Sequence, residues 1–477
     1  MTAEVPMTAE VPVTAEVPTT AEVPTTSEGA VGSLDGPPDR SLDRAIIALA
    51  APALGALVAE PLFLLVDTAM VGHLGAPALG GLSLAGSVLQ TVVGLMVFLA
   101  YATTPTVARL RGAGDLRGAI AAGVDGLWLA AALGVVLAAT GWWVTPMVPR
   151  AFGADPVVAH EAAVYLRISM AGLPAMLLVY AAAGLLRGLH DTRTPLVVAG
   201  AGFAVNAALG GALIYGAHWG IAGSAAGTVL AQWAMAAAYL TMVARHARRA
   251  GASRAPRAVG LLRGMHTGFW LLLRTASLRA AFLLVTYVAT ALGSNELVAF
   301  QIAMTLFFTA AFALDALAVA AQVLVGDRLG AGDAAAARIV LRRCVAWGVG
   351  GGLVLGAVLA ALAWVIGPAF TNAADVAGLV VPAVLVLAAT APLGGLVFVL
   401  DGVLIGAGDN RYLAWTGLLN LVGFAVPAGA VLLWQPTGAT GVACLMAAFA
   451  GGYLSARAAT LSLRVRGSAW LVAGAVR

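Results

Sequence analysis

Gly112-Ala113-Gly114-Asp115 and Gly330-Ala331-Gly332-Asp333 are near-identical turns 218 residues apart, and that interval recurs along the whole chain. At the same offset Ala151-Phe152 returns as Ala369-Phe370 and Pro174 as Pro392. Gly188-Leu189-His190-Asp191-Thr192-Arg193 returns as Gly406-Ala407-Gly408-Asp409-Asn410-Arg411, and Gly220 with Gly223 as Gly438 with Gly441. Each pair alone is a weak match, but five on one diagonal without a gap mark a duplication. In a membrane chain a duplication points to a transporter, because two related bundles can open one central site to either side in turn.

The composition places the chain in lipid: 61% of its residues are apolar and 10% charged. Apolar stretches long enough to cross hydrocarbon, roughly 20 residues each, occur about twelve times between 45 and 462. The repeat superposes the first six on the last six. The expected fold is therefore an all-α membrane protein of twelve transmembrane helices in two six-helix lobes. An even number of spans per lobe gives both the same orientation, so the pseudo-two-fold axis relating them runs along the membrane normal.

All 26 basic residues are arginine. With the N-terminus inside, Arg167, Arg274, Arg279 and Arg457 fall within spans and Arg150 in an outer loop, leaving 21 on the cytoplasmic side. The positive-inside rule then puts both termini of a multi-pass cell-membrane protein in the cytoplasm. The net charge of +4 is no sign of a nucleic-acid partner. Its richest cluster, Arg245, Arg248, Arg249, Arg254, Arg257 and Arg263, lies between the lobes, where it attracts anionic membrane lipid and fixes topology.

The domain boundaries follow. Residues 1–42, opening with a repeated hexamer ending in Val-Pro, form a disordered cytoplasmic tail, because they carry too little apolar area to offset ordering entropy. The N-terminal lobe covers 43–244, an arginine-rich linker 245–265, the C-terminal lobe 266–465 and a second tail 466–477. Cys344 and Cys444 have no metal spacing, and the six histidines are scattered. Neither a metal nor another cofactor is expected, and the chain carries no nucleotide loop or nucleophile elbow. It is read as a transporter, not an enzyme, driven by an ion gradient.

Function is then sought among polar groups inside the spans, where a carboxylate costs about 2.5 to 3.5 kcal/mol on insertion scales. Asp67, in Leu62-Phe63-Leu64-Leu65-Val66-Asp67-Thr68-Ala69-Met70-Val71-Gly72, is the clearest case, and its repeat partner is Val285. The acid belongs to one lobe only. Glu60 lies two turns away on the same helix face, roughly 10 Å by helix rise. Pro52 and Pro61 are expected to kink this helix and serve as hinges. Desolvation favours a protonated carboxyl and a nearby cation favours an ionised one, so one buried Asp can hold a proton or face a charged ligand. That exclusivity is what an antiporter requires.

Asn206, Thr228, Gln232, Gln301, Asp315 and Asp401 are further embedded polar groups. Asp315 and Asp401 are candidates for a second titratable site. Asp401 alternatively braces the turn at Gly406, and Asp315 alternatively pairs with Arg274 or Arg279.

At these motifs the chain resembles the multidrug and toxic compound extrusion (MATE) family, in its DinF-like branch. The carrying residues are Val66-Asp67-Thr68-Ala69-Met70-Val71-Gly72-His73-Leu74-Gly75, Gly112-Ala113-Gly114-Asp115 and Leu186-Arg187-Gly188-Leu189-His190-Asp191-Thr192-Arg193. Asn206 to Gly216, Gly220-Ile221-Ala222-Gly223 and Asp401-Gly402-Val403-Leu404-Ile405-Gly406 extend the match over about 43–465. The resemblance implies a monomeric efflux antiporter for drugs, with Asp67 as principal ion-coupling residue. The family's polar site also uses an Asn and an Asp one turn apart and a Thr; here these positions read Asn206, Gly210 and Thr228. The missing carboxylate at Gly210 favours protons over sodium, with Glu60 as a possible second acid. The expected substrates are amphipathic, cationic organic compounds exchanged for protons by alternating access. Sodium coupling and a lipid-linked sugar flippase are the alternatives.

Overall fold

In lipid a backbone must satisfy its hydrogen bonds internally, and the described residues do so with helices joined by short turns. A computed structural model describes residues 38–475, so nearly all of the expected disordered tail lies outside the described residues. Of that segment only 38–42 is seen, and it is helical, because Pro38 is tolerated in a first turn that needs no donor. Met1–Ser41 is set apart from one unit running Leu42–Arg477.

The first half contains α1 (Pro38–Gly72), α2 (Ala76–Met96), α3 (Phe98–Gly112), α4 (Leu116–Val144) and the short α5 (Val148–Ala151). It continues with α6 (Pro156–Met170), α7 (Leu173–Gly188), α8 (Arg193–Gly211), which ends in a π turn at Ala212–Gly216, and α9 (Ile221–Arg249). The second half contains α10 (Ala258–Leu292), α11 (Ser294–Gly330), α12 (Ala334–Phe370), α13 (Ala374–Gly406), α14 (Asn410–Trp434) and α15 (Gly438–Met446). A π stretch at Ala447–Tyr453 leads into α16 (Leu454–Arg466). Eleven helices are long and apolar enough to cross a membrane, and α6 with α7 make a twelfth span bent by 51°. Only 250–257 of the expected linker is non-helical.

The duplication holds at the level of backbone geometry. Asp115 caps α4 by accepting from Gly118 N at 2.6 Å, and Asp333 caps α12 by accepting from Ala336 N at 2.8 Å. Each cap follows a glycine in the left-handed region, Gly114 at φ 79° and Gly332 at φ 81°. His190 at φ 68° occupies the position that Gly408 fills at φ 72°.

The helix carrying Pro52 and Pro61 runs as one element from Pro38 to Gly72. A bend of 51° lies in span four, where Gly172 and Pro174 together offer little to hold the helix, and Trp233 Nε1 takes up the freed Ala171 carbonyl at 3.0 Å. In α13 the repeat position of Gly172 is Thr390, whose hydroxyl bonds back to Val386 O at 2.9 Å, and that helix stays whole through Pro392.

The halves meet end-on at the glycine turns. A Cβ on Gly112 would lie 1.9 Å from the Asp327 carbonyl oxygen, and one on Gly330 would lie 2.0 Å from the Arg109 carbonyl oxygen. Residues 109 and 327 are themselves 218 apart, so each half presses its turn glycine on the same carbonyl of the other. That reciprocity is the signature of a two-fold relation. Around it Arg111 Nη1 donates to Asp327 at 2.9 Å, and Asp43 of α1 accepts from Arg343 Nε at 2.6 Å and Trp347 Nε1 at 2.7 Å. The buried Arg109 reaches three carbonyls of the second half, those of Ala407 at 2.8 Å, Gly474 at 3.2 Å and Val472. The last two belong to the segment after α16, which buries Trp470 and returns Gly474 N to Leu329 O at 2.9 Å. Further from the turns, the cross-half polar contacts reach Tyr101 and Asp315.

Candidate functional site

Asp67 sits in the first half, 3% exposed, within an apolar cluster of its own that includes Val71, Leu82, Met170 and Ile214. Its two oxygens are held by hydroxyls from two other helices. Ser224 on α9 donates to Oδ1 at 2.5 Å, and Tyr165 on α6 donates to Oδ2 at 3.2 Å. One turn along α9 from Ser224, on the same helix face, stands Thr228. Its hydroxyl accepts from Asn206 Nδ2 of α8 at 3.0 Å and lies within bonding reach of Tyr165. The structure thus brings Asp67, Asn206 and Thr228 into one buried cluster, linked by Tyr165 and Ser224, which the sequence reading did not single out.

This cluster has one carboxylate and no basic side chain bonded to it among the described residues. Gly210 shows why a second acid is missing. A Cβ there would lie 2.9 Å from the Met70 side chain, and the backbones of α8 and α9 approach so closely that a Cβ on Gly227 would lie 2.9 Å from Gly210 N. Met70 fills the space, and the Tyr215 hydroxyl holds the Met70 carbonyl at 2.7 Å. The side chain of Glu60 lies outside the described residues, so its place relative to this cluster is not defined.

Comparing the halves exposes the site. At the repeat offset Asp67, Tyr165, Asn206, Ser224 and Thr228 face Val285, Ala383, Phe424, Val442 and Met446. Where the first half has a hydrogen-bonded polar cluster, the second packs Phe424 against Phe449 and Tyr453. The signal that would have found Tyr165 and Ser224 is this asymmetry, applied to every polar span residue and not to the acid alone.

The second half has its own unrepeated group. Asp401, 6% exposed, accepts from Arg457 Nη2 at 2.6 Å and from Arg274, joining α13, α16 and α10. Its position and those of Arg274 and Arg457 read Ala183, Ala56 and Tyr239 in the first half. A carboxylate shared by two buried guanidiniums is an ion cluster and not a brace of the Gly406 turn. The Asp315 carboxylate accepts from the Tyr101 hydroxyl of the other half at 3.3 Å, while Arg274, bonded to Asp401, acts on it only through space. Arg274 lies over the Tyr101 ring, 5.8 Å from its centroid. Removing one member of a buried pair strands the other charges, so Asp401→Asn should destabilise the fold by about 3 to 5 kcal/mol. Thermal unfolding in detergent measures this, and an unchanged midpoint would exclude a structural role for the cluster.

No group of three or more His, Cys, Asp or Glu side chains suited to a metal occurs among the described residues. The MatE family model matches residues 52–211 and 272–431, one segment in each half. The chain belongs to the MATE family of membrane transporters. It is 31% identical over 80% of its length to Protein DETOXIFICATION 44, chloroplastic, of Arabidopsis thaliana, covering 74% of that protein. It is 29% identical to DNA damage-inducible protein F of Escherichia coli over 61% of this chain and 65% of that one. Multidrug resistance protein MdtK of Klebsiella pneumoniae is 30% identical over 63% of this chain and 67% of its own. Among solved structures, one described as the outward-facing conformation of a multidrug resistance MATE family transporter matches at a TM-score of 0.81 and 22% identity, covering 90% of this chain and 96% of that one. The bent form of the Vibrio cholerae MATE transporter VcmN matches at 0.79 and 19%, covering 89% and 98%. These likenesses establish the two-lobed helical membrane fold that the repeat predicts.

Proposed function

We propose that this MATE protein is a proton-coupled antiporter that exports amphipathic, mainly cationic organic compounds from the cell by alternating access, with Asp67 as the coupling residue. The observation that carries the reading is the buried Asp67 carboxylate, bonded among the described residues only to neutral hydroxyls, whereas the equally buried Asp125 of the first half is ion-paired with Arg257. A carboxyl in that setting exchanges a proton without breaking an ion pair, and Ser224 and Tyr165 can each donate to the ionised form or accept from the protonated one. The relatives described as multidrug resistance proteins support the substrate class.

The arginine-rich turn end, read as cytoplasmic by the positive-inside rule, is the end at which the halves are joined. The conformation is accordingly taken to be closed to the cytoplasm. Proton uptake at Asp67 from outside then favours the rearrangement of α1 that expels substrate, and proton release inside resets it. The chain is taken to work as a monomer, since both lobes and the route between them lie in one polypeptide.

The deciding experiment loads purified protein into vesicles and follows a panel of fluorescent cations and neutral drugs under proton and sodium gradients imposed separately. Export under a proton gradient alone supports the reading, and export under sodium alone overturns the choice of ion. Within the site, Tyr165→Phe and Ser224→Ala each remove one donor worth about 1.5 to 3 kcal/mol to a charged acceptor. Each should slow proton-driven export roughly tenfold or more while leaving expression intact. Initial rates of dye export in matched vesicles check this, and wild-type rates in both variants would detach these hydroxyls from coupling.

A further inference from the structure

An arginine in a membrane span is costly, and such residues face a partner or a water-filled pathway. Of the four span arginines, three have partners. Arg274 and Arg457 share Asp401, and Arg167 lies over the face of Trp142, 5.4 Å from the ring centroid. Arg279 is the remainder. It is exposed, and among the described residues it has no hydrogen bond, ion pair or ring contact.

Its position is not that of a lipid-surface snorkel. Arg279 stands thirteen residues before the end of α10 at Leu292, roughly 20 Å by helix rise and so well inside a hydrocarbon core about 30 Å thick. It is five residues from Arg274, roughly 140° around the helix, so the two guanidiniums leave α10 on different faces. Arg274 bonds Asp401 of its own half and lies over the Tyr101 ring. Arg279 turns to the other half, where a Cβ on Gly94 of α2 would lie 2.1 Å from its Nη2. The guanidinium occupies the room that the absent side chain of residue 94 leaves. None of the described acids pairs with it: Asp67 is bonded by hydroxyls, Asp125 by Arg257, Asp315 by Tyr101 and Asp401 by two arginines.

We infer that Arg279 is a substrate-recognition residue that binds the carboxylate of a transported amphiphile, so that carboxylate-bearing and zwitterionic compounds belong to the substrate range alongside cations. The planar guanidinium fork suits a carboxylate better than a point charge would, and a site between the halves at mid-depth is where a transported molecule must pass. The inference rests on the efflux reading for what the ligand is, but its test is equilibrium binding and needs no transport.

The probe is a xanthene dye in two forms, the free carboxylic acid and its ethyl ester, titrated onto detergent-purified full-length protein by fluorescence anisotropy. The wild-type protein should bind the acid form about tenfold tighter than the ester, the strength of a charge-assisted hydrogen bond. Arg279→Gln should erase that preference with ester binding unchanged, and Arg279→Lys should keep part of it. Gly94→Ala tests the geometry without touching the charge, since its Cβ displaces the guanidinium, and it should also lower the preference. Equal affinity for both dyes in the wild type, or an acid preference that survives Arg279→Gln, overturns the inference. Dyes that bind with the expected ratio but move under no gradient would instead overturn the efflux reading and leave this one standing.

Discussion

Asp67→Asn should reduce proton-driven export to the level of protein-free vesicles while the protein still folds. The substitution keeps shape and volume, and the Ser224 and Tyr165 hydroxyls can turn to accept from an amide as readily as they donate to a carboxylate. Folding is therefore spared, whereas the one exchangeable proton of the cluster is gone. The apolar cluster around it offers no replacement: Val71, Leu82, Met170 and Ile214 hold no titratable group. The measurement is dye export with simultaneous recording of proton movement in proteoliposomes, with Asp67→Glu as a control that retains the acid. Undiminished export with intact proton exchange in the Asn variant would sink the coupling assignment.

The second large effect is expected at the turn glycines. Gly330→Leu places a branched side chain where a Cβ alone lies 2.0 Å from the Arg109 carbonyl oxygen, and Gly112→Leu does the same against Asp327 at 1.9 Å. Backbone has no rotamer with which to yield, so the halves must separate at this end. Both glycines lie in helices at ordinary negative φ, so the substitutions strain no backbone within their own half. The predicted outcome is a transporter held away from the conformation described here. Reversing a two-state preference from 1:99 to 99:1 needs about 5.5 kcal/mol, within the reach of a clash that leaves no alternative packing. Spin labels at Ala113→Cys and Ala331→Cys, both exposed, with Cys344 and Cys444 replaced by alanine, would report a longer distance and lost transport. An unchanged distance distribution together with wild-type export would show that this contact is not what joins the halves.

Much of this was legible in the sequence, for a physical reason. Hydrocarbon penalises an unmatched acid or amide, so Asp67 and Asn206 stand out from their spans on chemistry, and the family resemblance marks Thr228. Tyr165 and Ser224 do not, because a hydroxyl is inexpensive in a helix that can bond it back to its own carbonyls. Their role needed either the folded geometry or comparison with Ala383 and Val442. The partners of Asp401 were out of reach for another reason: Arg274 and Arg457 come from helices distant in sequence, and no local spacing links them. For Asp315 the sequence offers Arg274 or Arg279, and the fold supplies the Tyr101 hydroxyl of the other half as its hydrogen-bond partner. The bend in span four depends on the pairing of Gly172 with Pro174, a combination the second half lacks.

The segment after α16 sets a limit on motion. Trp470 is buried, its indole nitrogen bonded to the Val465 carbonyl at 3.1 Å, while Val472 and Gly474 are gripped by Arg109 of the first half. Between the anchored ring and the first gripped carbonyl lie only two peptide steps, and an extended chain spans at most about 3.6 Å per residue. The segment is a short leash. Either the turn ends part by no more than that slack, or Arg109 releases its carbonyls at the start of every cycle and must find them again at its close.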